Sequence, residues 1–175
     1  LFNLNSVLIE LLKSGLLFNE NISVNTSITV NSNIRENFFD HAKIYFNIQN
    51  GKINLDGTKL FNKNIGSLRL NDSSLFLQNN KLTLNTNLFF DIKNSNYLFS
   101  FLNTNKRLRK EINNIFINID YDFMNNDIRF NNVKIDNKQL NDQSMNIIDS
   151  FSNNDSNNLI KTRRLLNKLL SVYEG

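Results

Sequence analysis

Long stretches of the chain alternate apolar and polar residues one for one, the period of a strand with one covered and one wet face. Ile22, Val24, Thr26, Ile28 and Val30 alternate with Ser and Asn, and the stretch from Asn31 to Asn37 breaks the pattern. Ala42, Ile44, Phe46 and Ile48 resume it, and Ile53 and Leu55 follow before Gly57. Short strands around Leu68 and Leu75 come next. The longest row, Leu82, Leu84, Thr86, Leu88, Phe90 and Ile92, holds one face over eleven residues, about 36 Å at the usual rise. Ile115, Ile117, Ile119, Tyr121 and Phe123 form another row with Asn118, Asp120 and Asp122 opposite, and Ile128, Phe130, Val133 and Ile135 close the series. The period slips by one between Phe130 and Val133, which requires a bulge near Asn131 and Asn132.

Four two-residue turn candidates interrupt the rows: Asn50-Gly51, Asn71-Asp72, Asn79-Asn80 and Asn125-Asn126. Both central residues of a type I′ turn need positive φ, which Gly and Asn tolerate best. Closing these turns puts Ile48 opposite Ile53 and Phe46 opposite Leu55, Leu77 opposite Leu82 and Leu75 opposite Leu84, and Phe123 opposite Ile128 and Tyr121 opposite Phe130. The expected architecture is mainly β: an antiparallel meander forming a curled, one-sided, groove-like sheet, with a few short helices.

The helices have the other period. Ser6 to Leu17 carries Ser6 as N-cap, Leu8, Leu11 and Leu12 on one side, and Gly15 as the stop. Tyr97 to Leu102 reads as one or two turns before the basic stretch Lys106 to Lys110. Leu140 to Phe151 places Leu140, Ile147, Ile148 and Phe151 on one side, and Ser152 to Asn158 is a loop. Leu159 to Tyr173 is amphipathic, with Leu159, Leu165, Leu166, Leu169, Leu170, Val172 and Tyr173 on one arc and Lys161, Arg163, Arg164 and Lys168 on the other. It predicts a cap over one end of the sheet; the alternative is a membrane-surface helix whose four cations touch anionic headgroups. Residues 1–135 are thus expected to form the sheet region and 136–175 a helical cap of the same domain. The start at Leu1 instead of Met points to a fragment of a longer chain.

Composition changes this picture little. Asn makes up about a fifth of the 175 residues, and Pro, Trp and Cys are absent. The Asn residues alternate with Ile, Leu and Phe instead of forming polar tracts, which argues against a prion-like segment and for an AT-rich genome. No Cys means no disulfide, thiolate metal site or cysteine nucleophile. The net charge is +4 and the pI about 9.3, but only Lys106, Arg107, Arg109, Lys110 and the four cations near the C-terminus cluster, and the Phe residues mostly sit on apolar rows. Nucleic-acid binding is therefore not expected. Val7 to Phe18 is too short and too charged to span a bilayer.

Candidate chemistry is sparse. His41, the single histidine, has Asp40 beside it but no second ligand at metal-binding spacing, and reads as a solvated edge residue. Asp120 and Asp122 lie about 7 Å apart on one strand face, a separation that suits paired-carboxylate catalysis, yet an Asn/Asp row opposite an apolar row is what any one-sided sheet presents to water. The five glycines are isolated and offer no phosphate loop. No enzyme activity, cofactor or metal is expected.

Several segments together resemble one family. Gly51-Lys52-Ile53-Asn54-Leu55-Asp56-Gly57, the strand end Asp91-Ile92, Phe99 to Phe101 before Arg109, Ile119-Asp120-Tyr121-Asp122-Phe123, and the terminal Arg164-Leu165-Leu166-Asn167 with Leu169, Tyr173 and Gly175 are similar to the C-terminal region of AsmA-like proteins of Gram-negative bacteria, of the alphaproteobacterial type. The likeness runs from about Asn50 to the end, and departs from the family in lacking Ala near the last Tyr. It implies a periplasmic protein anchored to the inner membrane through a segment outside this sequence, with a β-groove that binds or conducts phospholipid in outer-membrane biogenesis, and a possible envelope protein partner. The lipid-facing rows would then be Ile44, Phe46, Ile48, Leu82, Leu84, Leu88, Phe90, Ile92, Ile115, Ile117, Ile119 and Tyr121. About eight strands share the apolar face and only about three short helices can cover it, and each methylene buried there gains about 0.8 kcal/mol. The rival expectation is a structural or adhesive β module, such as a surface passenger or phage fibre, with no lipid ligand.

Overall fold

A computed structural model describes residues 6–31, 38–79, 81–125, 127–150 and 159–173. Helix α1 (Ser6–Lys13) is followed by strands β1 (Val24–Asn31), β2 (His41–Gln49), β3 (Lys52–Asn54), β4 (Lys59–Asn62), β5 (Gly66–Gln78) and β6 (Lys81–Ile92). Then come α2 (Ser95–Leu102), β7 (Asn114–Asp122), β8 (Asp127–Ile135), β9 (Lys138–Gln139), α3 (Asp142–Asp149) and α4 (Leu159–Val172). All nine strands form one antiparallel sheet in the order β1-β2-β3-β5-β6-β7-β8-β9, with β4 set between β2 and β5. The fold is mainly β, as the alternation predicts.

The first and third turns have the expected register: Ile48 faces Ile53, Leu77 faces Leu82 and Leu75 faces Leu84. Asn50 and Gly51 both have positive φ, 51° and 69°, as their turn requires. Leu55 does not extend the pairing with Phe46, because β3 ends at Asn54 and the Leu55 N–H donates to Ser73 Oγ at 3.0 Å.

Asn71-Asp72 is not a hairpin turn. Strand β5 runs through it as one thirteen-residue strand. Asn71 faces Asn87 and Ser74 faces Asn85, so Asp72 and Ser73 share the place opposite Thr86 and form a bulge, with Asp72 at φ 48°. One extra residue inverts the parity of everything after it. Leu68 and Leu70 before the bulge therefore share a face with Leu75 and Leu77 after it. The polar pair, instead of turning the chain, acts as a phase correction.

The fourth turn is wider than two residues. Strand β7 stops at Asp122, whose Oδ1 accepts the N–H groups of Met124 at 2.8 Å and Asn125 at 3.3 Å. Tyr121 consequently faces Ile128 and Ile119 faces Phe130, two places from the expected register. A two-residue displacement keeps every side chain on its face. The bulge at Asn131 is where the slipped period requires it: Asn118 pairs Asn132 and Ile119 pairs Phe130.

The alternation gives β3 as the partner of β2 but gives no sign of β4. Between β2 and β5, β3 and β4 act as one strand broken at 55–58. Asp56 and Thr58 bridge the break: Asp56 Oδ1 accepts from Ser73 N–H at 2.6 Å and Ser73 Oγ at 2.7 Å, and Thr58 Oγ1 accepts from Tyr45 N–H at 3.0 Å. Burial pushes the Asp56 carboxyl up, but hydrogen bonds from Ser73 and Asn54 outweigh it and hold its pKa below the ordinary value. A lowered folded pKa contributes stability above the unfolded value and loses it as the pH falls through the folded one. Asp56 is exposed, so solvent screens the effect; Asp56→Asn should lower stability at neutral pH by at most about 1 kcal/mol, and the gap to the parent should close in thermal melts as the pH falls through and below the ordinary carboxylate range.

The helices cap themselves with Asn. Asn94 Oδ1 accepts from the N–H groups of Asn96 at 3.1 Å and Tyr97 at 3.3 Å, starting α2, and Asn141 Oδ1 accepts from Ser144 N–H at 2.9 Å, starting α3. This is the preferred N-cap chemistry. Helix α1 turns Leu12 inward and leaves Leu11 40 % exposed, so the expected common side for those two does not hold; Gly15, at φ 76°, does end the segment. Phe151 and the 152–158 loop lie outside the described residues, as do the side chains of Ser6, Leu8 and Leu159.

Candidate functional site

The alternation predicts one apolar face, and the sheet carries it, but the covering is uneven. Leu12, Leu17 and Phe18, from α1 and the turn after it, lie over Ile48, Ile53, Leu75, Leu82 and Leu84. Leu98, Phe99 and Leu102 of α2 and Leu170 of α4, with Tyr173 just beyond it, lie over Ile92, Ile115 and Ile135. Ile148 and Leu169 pack on Val133. Of the twelve residues expected to face lipid, Ile48, Leu82, Leu84, Ile92, Ile115 and Ile119 are buried within the chain itself. Ile44, Phe46, Leu88, Phe90, Ile117 and Tyr121 are half-buried.

Phe90 owes its cover to residues that no periodic row contains. Phe38 stands edge-on to Phe90, Phe101 and Phe39, with centroids at 5.8, 4.8 and 4.7 Å. An aromatic pair just ahead of a strand start gives no periodic signal in the sequence.

The apolar face stays open at the other end. Strand β1 pairs only with β2, placing Val24 beside Ile48, Ile28 beside Ile44 and Val30 beside Ala42. Val24, Ile28 and Val30 are 40, 47 and 46 % exposed. Their row continues the apolar face past the last described helix that covers it. The strand itself carries none of the residues that usually blunt an edge: β1 has no charge and no Pro over eight residues.

The opposite face carries a connected set of amides and carboxylates, beside the edge-on pair Phe89 and Phe116. Asn85 Nδ2 donates to Asp120 Oδ1 at 2.6 Å, and Asn118 Nδ2 donates to Asn87 Oδ1 at 2.7 Å. Asn131 Nδ2 reaches both Asn118 Oδ1 and Asp120 Oδ2 at 2.9 Å, and Asn87 Nδ2 reaches Asp72 Oδ2 at 2.9 Å. The ladder crosses β5, β6, β7 and β8. Asp120 is therefore engaged at both oxygens. Asp122 is engaged in its turn, where burial raises its pKa but hydrogen bonds from Met124 and Asn125, helped by Lys81, bring it below the ordinary value. The two carboxylates serve different local structures.

His41 is hydrogen-bonded through Nδ1 to Asn31 Oδ1 at 2.6 Å and lies beside Phe61, with no cluster of metal-ligating groups among the described residues. The four cations of α4 are not equivalent. Lys161, Arg164 and Lys168 are exposed, whereas the Arg163 guanidinium stacks 4.4 Å from the Phe101 ring centroid and donates to the Phe101 carbonyl. Arg163 belongs to the helix flank that docks on α2, which corrects its expected place on the outward arc. No described helix is long and apolar enough to cross a membrane. Comparison with protein-family models, curated proteins and solved structures finds no significant match to this chain.

Proposed function

We propose that this chain is the helix-capped end of a one-sided β-trough that holds phospholipid acyl chains, and that it is not an enzyme. The observation that carries the reading is the apolar row of β1, which continues the sheet's inner face beyond its own helices and lies open at Val24, Ile28 and Val30. Exposed apolar surface continuous with a core favours a hydrophobic ligand. The helices fill one part of the face as an ordinary core, and β1 and β2 offer the rest. The resemblance to AsmA-like proteins supports the same role, with periplasmic location, anchoring to the inner membrane by a segment outside this sequence, a possible envelope partner and work in intermembrane lipid transport.

A photoreactive residue placed at Ile28 should form adducts with fatty acyl chains when the protein is isolated from bacterial membranes, and one placed at Ser27, on the opposite face, should not. Mass spectrometry of the adducts reads the result. Equal labelling at both positions, or none at Ile28, would defeat the lipid reading. A structural or adhesive module then stands instead, favoured by the burial of Ile53, Leu82, Leu84 and Ile135 under this chain's own packing.

A further inference from the structure

The two basic clusters, more than fifty residues apart in sequence, meet at one end of the molecule. Two contacts tie α4 to the segment ahead of the first cluster, and a third folds that cluster back onto the segment. Arg163 of α4 stacks on Phe101 and donates to its carbonyl. One turn further along α4, Asn167 Oδ1 accepts from Thr104 Oγ1 at 2.7 Å. Arg109 then folds back, donating from Nε to the Thr104 carbonyl at 3.1 Å and from Nη1 to Ser100 Oγ at 3.3 Å. These bonds fix the loop that carries Lys106, Arg107 and Lys110 against the flank of α4. At 100° per residue, Arg164 and Lys168 occupy the solvent arc next to that flank. All five of these cations are exposed, and none has an ion-pair partner among the described residues.

Apolar groups are set among the charges. Leu108, inside the single-turn helix Lys106–Leu108, is 44 % exposed, and Tyr97, one turn from Phe101 on α2, is 53 % exposed. A nucleic acid would neutralise the charges but leave Leu108 in water, whereas a headgroup layer takes up cations and shallow apolar side chains together. We infer that this surface, built jointly by the Lys106–Lys110 loop and the outer arc of α4, docks on membranes containing anionic phospholipid, with Leu108 entering the interface. The inference is independent of the acyl-chain trough. It concerns the helices packed over β6, β7 and β8 and the loop beside them, not the β1 row, and involves headgroups rather than tails.

The test is co-sedimentation of the full chain with vesicles of phosphatidylcholine alone and of phosphatidylcholine mixed with phosphatidylglycerol, with binding to a single-stranded oligonucleotide measured in parallel. Binding should require the anionic lipid and weaken with salt. Lys106→Gln with Lys110→Gln, and separately Arg164→Gln with Lys168→Gln, should each weaken it by about five-fold per charge removed, and the four together by more than either pair. Leu108→Ser should weaken vesicle binding and leave oligonucleotide binding unchanged. Binding that ignores phosphatidylglycerol, loss confined to one pair, or Leu108→Ser acting on neither ligand would overturn the inference. Tighter binding to the oligonucleotide than to the anionic vesicles would replace the membrane with nucleic acid. Circular dichroism melts of each variant should match the parent, because every substituted side chain is exposed.

Discussion

Leu82→Asp should leave the protein unfolded, while Ile28→Asp should leave it folded and free of bound lipid. Both residues lie on the same face of the same sheet. Leu82 is fully buried beneath α1 and the turn after it, paired with Leu77, and a carboxylate there has no cation and no water. An unpaired buried charge costs several kcal/mol, comparable with the whole stability of a domain of this size. Ile28 already meets solvent over nearly half its surface, so Asp in its place costs only the lost contact with Ile44. Far-ultraviolet circular dichroism and lipid extraction from the same preparations separate the two effects. If Ile28→Asp also unfolds the chain, the β1 row is part of a closed core and the open trough is gone. If Ile28→Asp folds and still carries lipid, the ligand lies elsewhere.

Leu170→Ala should lower the melting temperature by roughly 5–15 °C, and Ile160→Ala should change it by very little. Leu170 is 1 % exposed and packs into the cluster of Ile92, Leu98, Phe99, Ile115 and Ile135. Removing a buried Leu side chain costs about 2–5 kcal/mol, and 1 kcal/mol moves the midpoint by about 2–4 °C at this chain length. Ile160 is 62 % exposed at the start of the same helix. A melting temperature unchanged by Leu170→Ala would mean that α4 rests on the sheet without stabilising it. The membrane-surface alternative for the helix as a whole would then regain ground. Its contacts show the inner arc docked: Leu169 and Leu170, with Tyr173 just past the helix end, join the core, and Tyr173 Oη donates to the Ile135 carbonyl at 3.4 Å.

Much of this architecture was legible because a strand's period is two and a buried face cannot tolerate a slip of one. The rows on β2, β6, β7 and β8 follow directly, and so does the bulge at Asn131. What the rows do not encode is a displacement by two. The turn after β7 illustrates it: Tyr121 opposite Ile128 and Tyr121 opposite Phe130 bury the same face equally well, and the Asp122 side chain decides by capping a wider turn. Asn71-Asp72 misled for a related reason. A bulge with positive φ uses the same residues as a tight hairpin, and only the partner strand distinguishes them. The candidate site was legible in part. Periodicity identified the face but had no information on which segment of it the helices would occupy, since α1, α2 and Phe38 reach it through tertiary packing. The exposed row at Val24, Ile28 and Val30 reads in sequence like every other row.

The amide ladder bears on how this chain finds its alignment at all. Rows of Leu, Ile and Phe are nearly interchangeable under translation, so apolar burial alone leaves a set of sheets shifted by two residues at almost equal free energy, a frustrated landscape with several competing minima. The wet face breaks that degeneracy. Asn87 must meet Asp72 on one side and Asn118 on the other, and Asp120 must meet Asn85 and Asn131. Shifting β7 by two in one direction sets Phe116 opposite Asn87, and in the other it sets Asp122 opposite Asn85 and takes it from the turn it caps. The face opposite the core thereby narrows the alignments that the core would accept, much as a vernier scale resolves what a coarse rule leaves equal.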